Sequence, residues 1–241
     1  MAATTGQGTH VFPEELRKGV YQAIHQRRDI RAQFRPEPIP EPVLARLLLA
    51  AHHAPSVGFM QPWDFLLVRD GEVRRRVRAA FEIAHEREAR TIPAERRETY
   101  LGIKLEGILE SPLNLCITCD RERFGDIRVG RTAQPEMDRY SVVCAVQNLW
   151  LAARAEGIGV GWVSIVDPNA LKEILGIPRS IRIVAYLCLG YVSHFPDRPE
   201  LEAAGWLPRL PIEKLVRVDR WDETLNGQWP GLASALKESH E

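Results

Sequence analysis

Three arginines within five residues form the cluster most suited to chemistry. Arg27, Arg28 and Arg31 follow an amphipathic stretch, and on a continued helical turn Arg27 and Arg31 would share one face. Guanidinium groups hold phosphate through paired hydrogen bonds, so the cluster could clamp a phosphate. The alternative is a solvated basic helix end, which the helix dipole favours. Asp29, within the cluster, could act as a base, accept from a ribose-type hydroxyl, or pair with one of the arginines.

A second candidate is the connection from residue 54 to residue 62, called the Pro55 loop below. With Trp63 it reads APSVGFMQPW and combines an exposed backbone, polar donors and a flanking aromatic ring. That combination suits a planar heterocycle with hydrogen-bonding edges. An ordinary helix-to-strand connection is the alternative.

Glycines recur at alternate positions in Gly157, Gly159 and Gly161. The dinucleotide-binding fingerprint follows a strand and opens a helix, whereas this run follows a predicted helix and enters a predicted strand, which excludes that interpretation. The glycines could end the helix in a turn, or they could let a flat ligand lie against the backbone.

Four cysteines offer little chemistry. Cys116 and Cys119 match C-x-x-C but lie in a strand pattern, where residues three apart point to opposite faces. A zinc or redox site would need both sulfurs to converge. Cys144 and Cys188 also lie in apolar runs, so we predict buried thiols and no metal.

Short helices and strands must position these residues. Leu16, Val20 and Ile24 share one face of a first helix, which runs from about Pro13 to the arginines. Residues 138–156 are apolar nearly all round, which predicts a buried helix. Taken together, the predicted helices and strands indicate an α+β domain with about four or five strands. Further helices are predicted over 41–53, over 72–110 with an interruption near 91–93, and after Asp167, and strands over 65–68, 113–119, 160–166 and 181–189.

Composition excludes several classes of protein. The 241 residues contain 32 Lys and Arg against 32 Asp and Glu, which gives a formal net charge of zero. This balance disfavours extended electrostatic binding of nucleic acid or anionic lipid. No spanning segment, signal peptide or disulfide framework is evident, so we expect a cytoplasmic protein. We expect a flexible tail over residues 1–12 and a single domain over 13–241. The Pro-rich last fifty residues would wrap over the body or over a partner.

Three motifs in a fixed order carry a family resemblance. They are Arg27-Arg28-x-x-Arg31, the Pro55 loop with Gln61-Pro62-Trp63, and Gly157-x-Gly159-x-Gly161-Trp162. Together they resemble the nitroreductase-like flavin family over roughly residues 15–220. The resemblance implies an α+β fold with a mixed or antiparallel sheet of about four to five strands surrounded by helices, and an extended C-terminal arm.

The resemblance also implies a ligand and a partner. Members are homodimers with FMN at the subunit interface, where the arginine cluster holds the phosphate, and the Pro55 loop and Gly161–Ser164 flank the isoalloxazine ring. The residues implied to bind FMN are Arg27, Arg28, Asp29, Arg31, Pro55, Ser56, Val57, Gly58, Met60, Gln61, Gly161, Trp162, Val163 and Ser164.

Departures from the common pattern resemble one branch of the family. Asp29 replaces a usual Ser, Phe59 replaces a frequent Asn, and residues 135–141, 144–150 and 161–165 match that branch. Its members consume reduced FMN with O2 and fragment it to 5,6-dimethylbenzimidazole, the lower ligand of vitamin B12, and erythrose 4-phosphate. The resemblance implies that Asp29 is a base or an orienter of ribityl hydroxyls, and that Ser164 bonds the ring or relays a proton.

Two other functions stay open. The chain could be a NAD(P)H-dependent nitro or quinone reductase, or a flavin-binding protein without catalysis. A basic, Pro-interrupted segment over residues 85–105 could form a lid that restricts NAD(P)H, in which case a separate flavin reductase could supply reduced FMN.

Overall fold

The structure, a computed structural model, describes residues 11–126, 129–225 and 229–238. The chain divides into two compact units, one up to Pro199 and one from Glu200. Most of the predicted N-terminal tail lies outside the described residues, and a single domain over 13–241 stays a prediction.

A four-stranded antiparallel sheet organises the first unit. Its strands are β1 (Trp63–Val68), β2 (Leu113–Cys119), β3 (Ile158–Trp162) and β4 (Arg182–Tyr191), in the spatial order β1-β2-β4-β3. The predicted α+β class is confirmed. β1 and β3 are therefore the two edges of the sheet.

Six helices surround this sheet within the described part of the first unit. They are α1 (Glu14–Gln26), α2 (Glu41–His52), α3 (Gly71–Ala89), α4 (Ala94–Gly102), α5 (Met137–Ala155) and α6 (Pro168–Leu175). The side chain of Asp167 caps α6 by accepting from the amides of Asn169 and Ala170 at 2.8 and 3.0 Å. The predicted break before Pro93 is confirmed.

The predicted helix over residues 72–110 is wrong at its end, because α4 stops at Gly102. The chain beyond it passes close to residues 27–31, which contain the three clustered arginines. A Cβ on Gly107 would lie 2.7 Å from the carbonyl oxygen of Arg31. The buried carboxylate of Glu106 also accepts from the amide of Ile108 at 2.7 Å, which replaces a helical hydrogen bond.

The core lies on both faces of the sheet. One cluster packs α2 and α5 on the first face, and the other packs α3 and α6 on the second. Cys119 belongs to the first cluster and Cys116 to the second, which confirms that they point to opposite faces. Burial raises the pKa of Cys116, Cys119 and Cys188 to about 12.

Two neighbouring helices leave apolar stripes exposed. On α5, Tyr140, Val143 and Cys144 face outward, so the predictions of an all-round buried helix and of a buried Cys144 are wrong. The predicted apolar stripe of α1 is also exposed, and no residue of that helix is buried. Because α1 contacts α5, the two stripes belong to adjoining surfaces that the described part of the chain does not cover.

The second unit contains two short helices, α7 (Glu200–Ala203) and α8 (Pro230–Glu238). Between them lie a 3₁₀ turn over Ile212–Lys214 and an antiparallel bridge between Arg217 and Thr224. No helix among the described residues of either unit is long and apolar enough to cross a membrane.

Candidate functional site

The arginine segment, residues 27–31, is extended rather than helical. α1 ends at Gln26, and Arg27 has φ −64° and ψ 144°. Asp29 forms a parallel bridge with Val160, and the amide of Ile30 donates to the carbonyl of Val160 at 2.9 Å. The predicted common helical face of Arg27 and Arg31 is therefore wrong, because pairing with β3 takes the hydrogen bonds that another helical turn would use.

The glycines of β3 allow this pairing. A Cβ on Gly161 would lie 2.1 Å from the carbonyl oxygen of Ile30, and one on Gly159 would lie 3.0 Å from Ile30 Cγ1 and 2.4 Å from Val192 Cγ1. Of the three glycines, only Gly157 has a positive φ, +73°, and it forms the turn after α5. The strand consequently begins at Ile158 and ends at Trp162, earlier at both ends than predicted. Contact with the chain itself explains Gly159 and Gly161 without a ligand.

Asp29 is held at both carboxylate oxygens. Its Oδ1 accepts from the amide of Trp162 at 2.9 Å, and its Oδ2 accepts from Arg31 at 2.7 Å. The Arg31 side chain is 8% exposed, whereas that of Asp29 is 33% exposed. Asp29 thus presents an oriented carboxylate, partly exposed beside the buried side chain of Arg31.

The other two arginines have different environments. Arg28 donates to the carbonyls of His25, Arg27 and Asp197. The guanidinium carbon of Arg27 lies 5.3 Å from the centre of the Trp150 ring. Within the cluster, Arg27 is therefore the residue whose guanidinium group packs against an aromatic ring.

The Pro55 loop is tightly closed on itself and on α5. Ser56 Oγ accepts from the amide of Gln61 at 3.1 Å, and the amide of Val57 donates to Ser141 Oγ at 3.0 Å. Phe59 and Gln61 both have positive φ, 55° and 44°, a strained state that clusters at functional sites.

A cavity of about 230 Å³ adjoins the Pro55 loop. Met60 is buried there, whereas Pro55 is exposed on the loop. The lining is mostly apolar and consists of Val57, Gly58, Phe59, Met60, Phe124, Val129 and Arg131.

The two halves of the predicted site lie apart in one chain. The Pro55 loop leads into β1, whereas Asp29 pairs with the outer side of β3, the strand that lies three strand spacings or about 14 Å from β1. The loop meets α5 at Ser141, and the arginine segment meets α5 at Trp150. Those positions differ by about 13 Å along a helix axis. The structure brings Asp29, Arg31, Gly161 and Trp162 together, but not with the Pro55 loop.

The residues after β3 are divided between core and surface. Val163 is buried, and its amide donates to the carbonyl of Tyr186 at 2.9 Å. Ser164 is exposed.

Two residues of α5 that contact the predicted site, Ser141 and Trp150, have no role in the sequence-based prediction. A helix that is apolar nearly all round gives no signal for which of its side chains bond to distant loops.

Comparison with known proteins shows which family this chain belongs to. Residues 24–191 match the model of the nitroreductase family. The chain belongs to the nitroreductase family. A protein of Rhodospirillum rubrum named 5,6-dimethylbenzimidazole synthase is 43% identical over 83% of this chain and 95% of its own length. One of the same name from Rhodobacter capsulatus is 37% identical over 84% and 97%.

A solved nitroreductase-fold structure agrees at the level of fold. Oxidised iodotyrosine deiodinase bound to FMN and 3-iodo-L-tyrosine superposes with a TM-score of 0.64 at 22% identity, covering 84% of this chain and 98% of that one. This similarity supports the predicted nitroreductase-like fold independently of the motifs.

Proposed function

We propose that this chain binds reduced FMN as a substrate and fragments it with O2 to 5,6-dimethylbenzimidazole and erythrose 4-phosphate. The observation that carries the proposal is the carboxylate of Asp29, fixed by Trp162 and Arg31 two residues along the chain from Arg27. Common members of the family usually carry Ser at this position. Relatives named for this activity share 34–43% identity with the chain.

The residues fit the phosphate of FMN. The described contact of the Arg27 guanidinium is the ring of Trp150 rather than an oxygen acceptor, so its donors can serve a phosphate. Arg28 and Arg31 already donate to carbonyl and carboxylate oxygens. We therefore assign the main phosphate contact to Arg27, with the positive field of the other two in support.

The fit to the ring system supports a homodimer. A flat ring with an apolar end suits the Pro55 loop and its cavity, but these lie far from Asp29 within one chain. In a twofold dimer the loop of one subunit can meet the arginine segment of the other. The exposed apolar stripes of α1 and α5 offer the surface for that pairing. We propose two FMN sites, each built from both subunits.

The chemistry of the site divides between FMN and the protein. Reduced FMN supplies the electrons for O2 and the atoms of the product. Asp29 accepts hydrogen bonds from Trp162 and Arg31, and its partly exposed carboxylate can also accept from a ribityl hydroxyl or take its proton. The exposed hydroxyl of Ser164, two residues beyond the amide that holds Asp29, can donate to the ring or pass on a proton.

The segment over residues 85–105 has contacts suited to a lid. His85 stacks on Phe81 and Tyr100 with ring centres 5.4 and 4.9 Å apart, and the Tyr100 hydroxyl donates to Glu88 at 3.0 Å. These contacts join the end of α3 to α4. A joined helical pair could cover the bound flavin as one piece and exclude NAD(P)H.

One incubation separates the proposed function from its alternatives. Purified protein is mixed with reduced FMN in air, and 5,6-dimethylbenzimidazole is measured by mass. A parallel sample receives FMN, NADPH and a quinone or nitro compound. The proposal predicts product in the first sample and little NADPH oxidation in the second. The reverse pattern would indicate a conventional reductase, and neither reaction would indicate a binding protein.

A further inference from the structure

We propose that Trp150 is a positioning residue that sets the arginine segment for phosphate binding. The inference rests on the proposed function, because the phosphate is that of FMN. Trp150 lies on α5 with 7% of its surface exposed. Its indole Nε1 donates to the carbonyl of Arg28 at 3.1 Å, and its ring lies under the guanidinium of Arg27 at 5.3 Å.

These two contacts act on consecutive residues. The indole N–H satisfies the carbonyl of Arg28 just after α1 has ended, where no helical partner remains. The face of the ring holds the Arg27 guanidinium group in position through a cation–π contact. One side chain therefore fixes both the path of the backbone and the direction of the cation.

The same tryptophan also contacts the Asp29 side of the site. The rings of Trp150 and Trp162 have centres 6.4 Å apart and an angle of 45°, and the amide of Trp162 holds Asp29. A continuous set of contacts thus runs from Arg27 through the two indole rings and the backbone amide of Trp162 to Asp29. An apolar residue such as Phe or Leu would fill the core position but could not donate to Arg28.

A purely structural tryptophan would make a different prediction. Loss of core packing would weaken the binding of FMN and riboflavin by similar factors, since both carry the same ring. Loss of a phosphate-positioning residue would weaken FMN and leave riboflavin nearly unchanged. The ratio of the two dissociation constants is therefore the informative quantity.

The test uses Trp150→Phe and a near-isosteric replacement of Trp150 by 3-benzothienylalanine, in which sulfur replaces the indole N–H. Dissociation constants for oxidised FMN and riboflavin are measured by quenching of flavin fluorescence. We expect FMN affinity to fall about two- to tenfold in both variants, the range for one hydrogen bond, and riboflavin affinity to change less than the FMN affinity.

The matched control is Tyr186→Phe. It removes a buried hydrogen bond to Asn114 of 2.9 Å in the core cluster on the other face of the sheet, and we expect the wild-type ratio. The benzothienyl variant keeps the ring volume, so it carries the test if Trp150→Phe does not fold. An unchanged ratio, or equal losses for both ligands, would overturn the inference. Equal affinities in the wild-type protein would instead show that the proposed phosphate site is wrong.

Discussion

At the scale of single residues, Gly161 has the strictest steric requirement near Asp29. In Gly161→Ala the new methyl group would meet the carbonyl of Ile30 and push the arginine segment off β3. We expect a loss of about 1–3 kcal/mol in the free energy of unfolding, measured by urea denaturation, together with weaker FMN binding. Gly102→Ala is the control, because no atom lies within 4 Å of its added Cβ. Equal stability of the two variants would contradict the close approach.

Asp29 and Ser164 are tested by Asp29→Asn and Ser164→Ala. Asn keeps the shape of Asp but cannot accept a proton as a base, and Ala removes only the hydroxyl of an exposed residue. We expect both to bind FMN and to form product about 10²–10⁴ times more slowly, measured by mass under single-turnover conditions. Product at wild-type rates would make both residues dispensable, and lost flavin binding would make them binding residues.

The sequence predicted the residue types at this site better than their partners. It identified Asp29 as a possible ion-pair member and Gly161 as a residue of special backbone. It could not show that Asp29 bonds the amide of Trp162, because that contact joins residues 133 positions apart. Local patterns carry no record of such pairing.

At the scale of elements, the exposed stripe of α5 makes the clearest prediction. Val143→Glu places a charge in the proposed subunit interface, where desolvation of an unpaired carboxylate is costly. We expect monomers by light scattering at micromolar concentration. Ile83→Glu, on an exposed apolar residue of α3, should stay dimeric. A dimeric Val143→Glu would show that this stripe is not the interface.

The elements themselves were largely predictable. β2 was predicted at its observed bounds, and the caps and breaks at Pro93 and Asp167 were signalled by residue type. Errors occurred where distant packing decided the outcome. The segment after α1 pairs with β3 instead of continuing the helix. The exposed face of α5 could not be recognised from the sequence, because Tyr140, Val143 and Cys144 on that face are apolar or weakly polar like the buried residues.

At the scale of the whole molecule, the separation of the two half-sites predicts complementation between subunits. Asp29→Asn damages one half, and Ser56→Ala removes the acceptor that closes the Pro55 loop. Each variant alone should form little product. An equal mixture, refolded or co-expressed, should recover about a quarter of wild-type activity, since half of the dimers are mixed and each holds one intact site.

Activity of the mixture equal to the mean of the two variants would contradict sites built from both subunits. A mixture of wild-type protein with Asp29→Asn is the control, and it should give about half of wild-type activity by the same counting. No sequence pattern could have located the proposed interface, because its exposed apolar residues resemble core residues until the fold shows them exposed.

The most direct measurement is a single turnover with one equivalent of reduced FMN per subunit, mixed with aerated buffer and no NAD(P)H. Flavin, 5,6-dimethylbenzimidazole and erythrose 4-phosphate are then quantified by mass. The account predicts one molecule of each product for every FMN consumed, and far less from Asp29→Asn. Complete recovery of the flavin as oxidised FMN from the wild-type protein would contradict it.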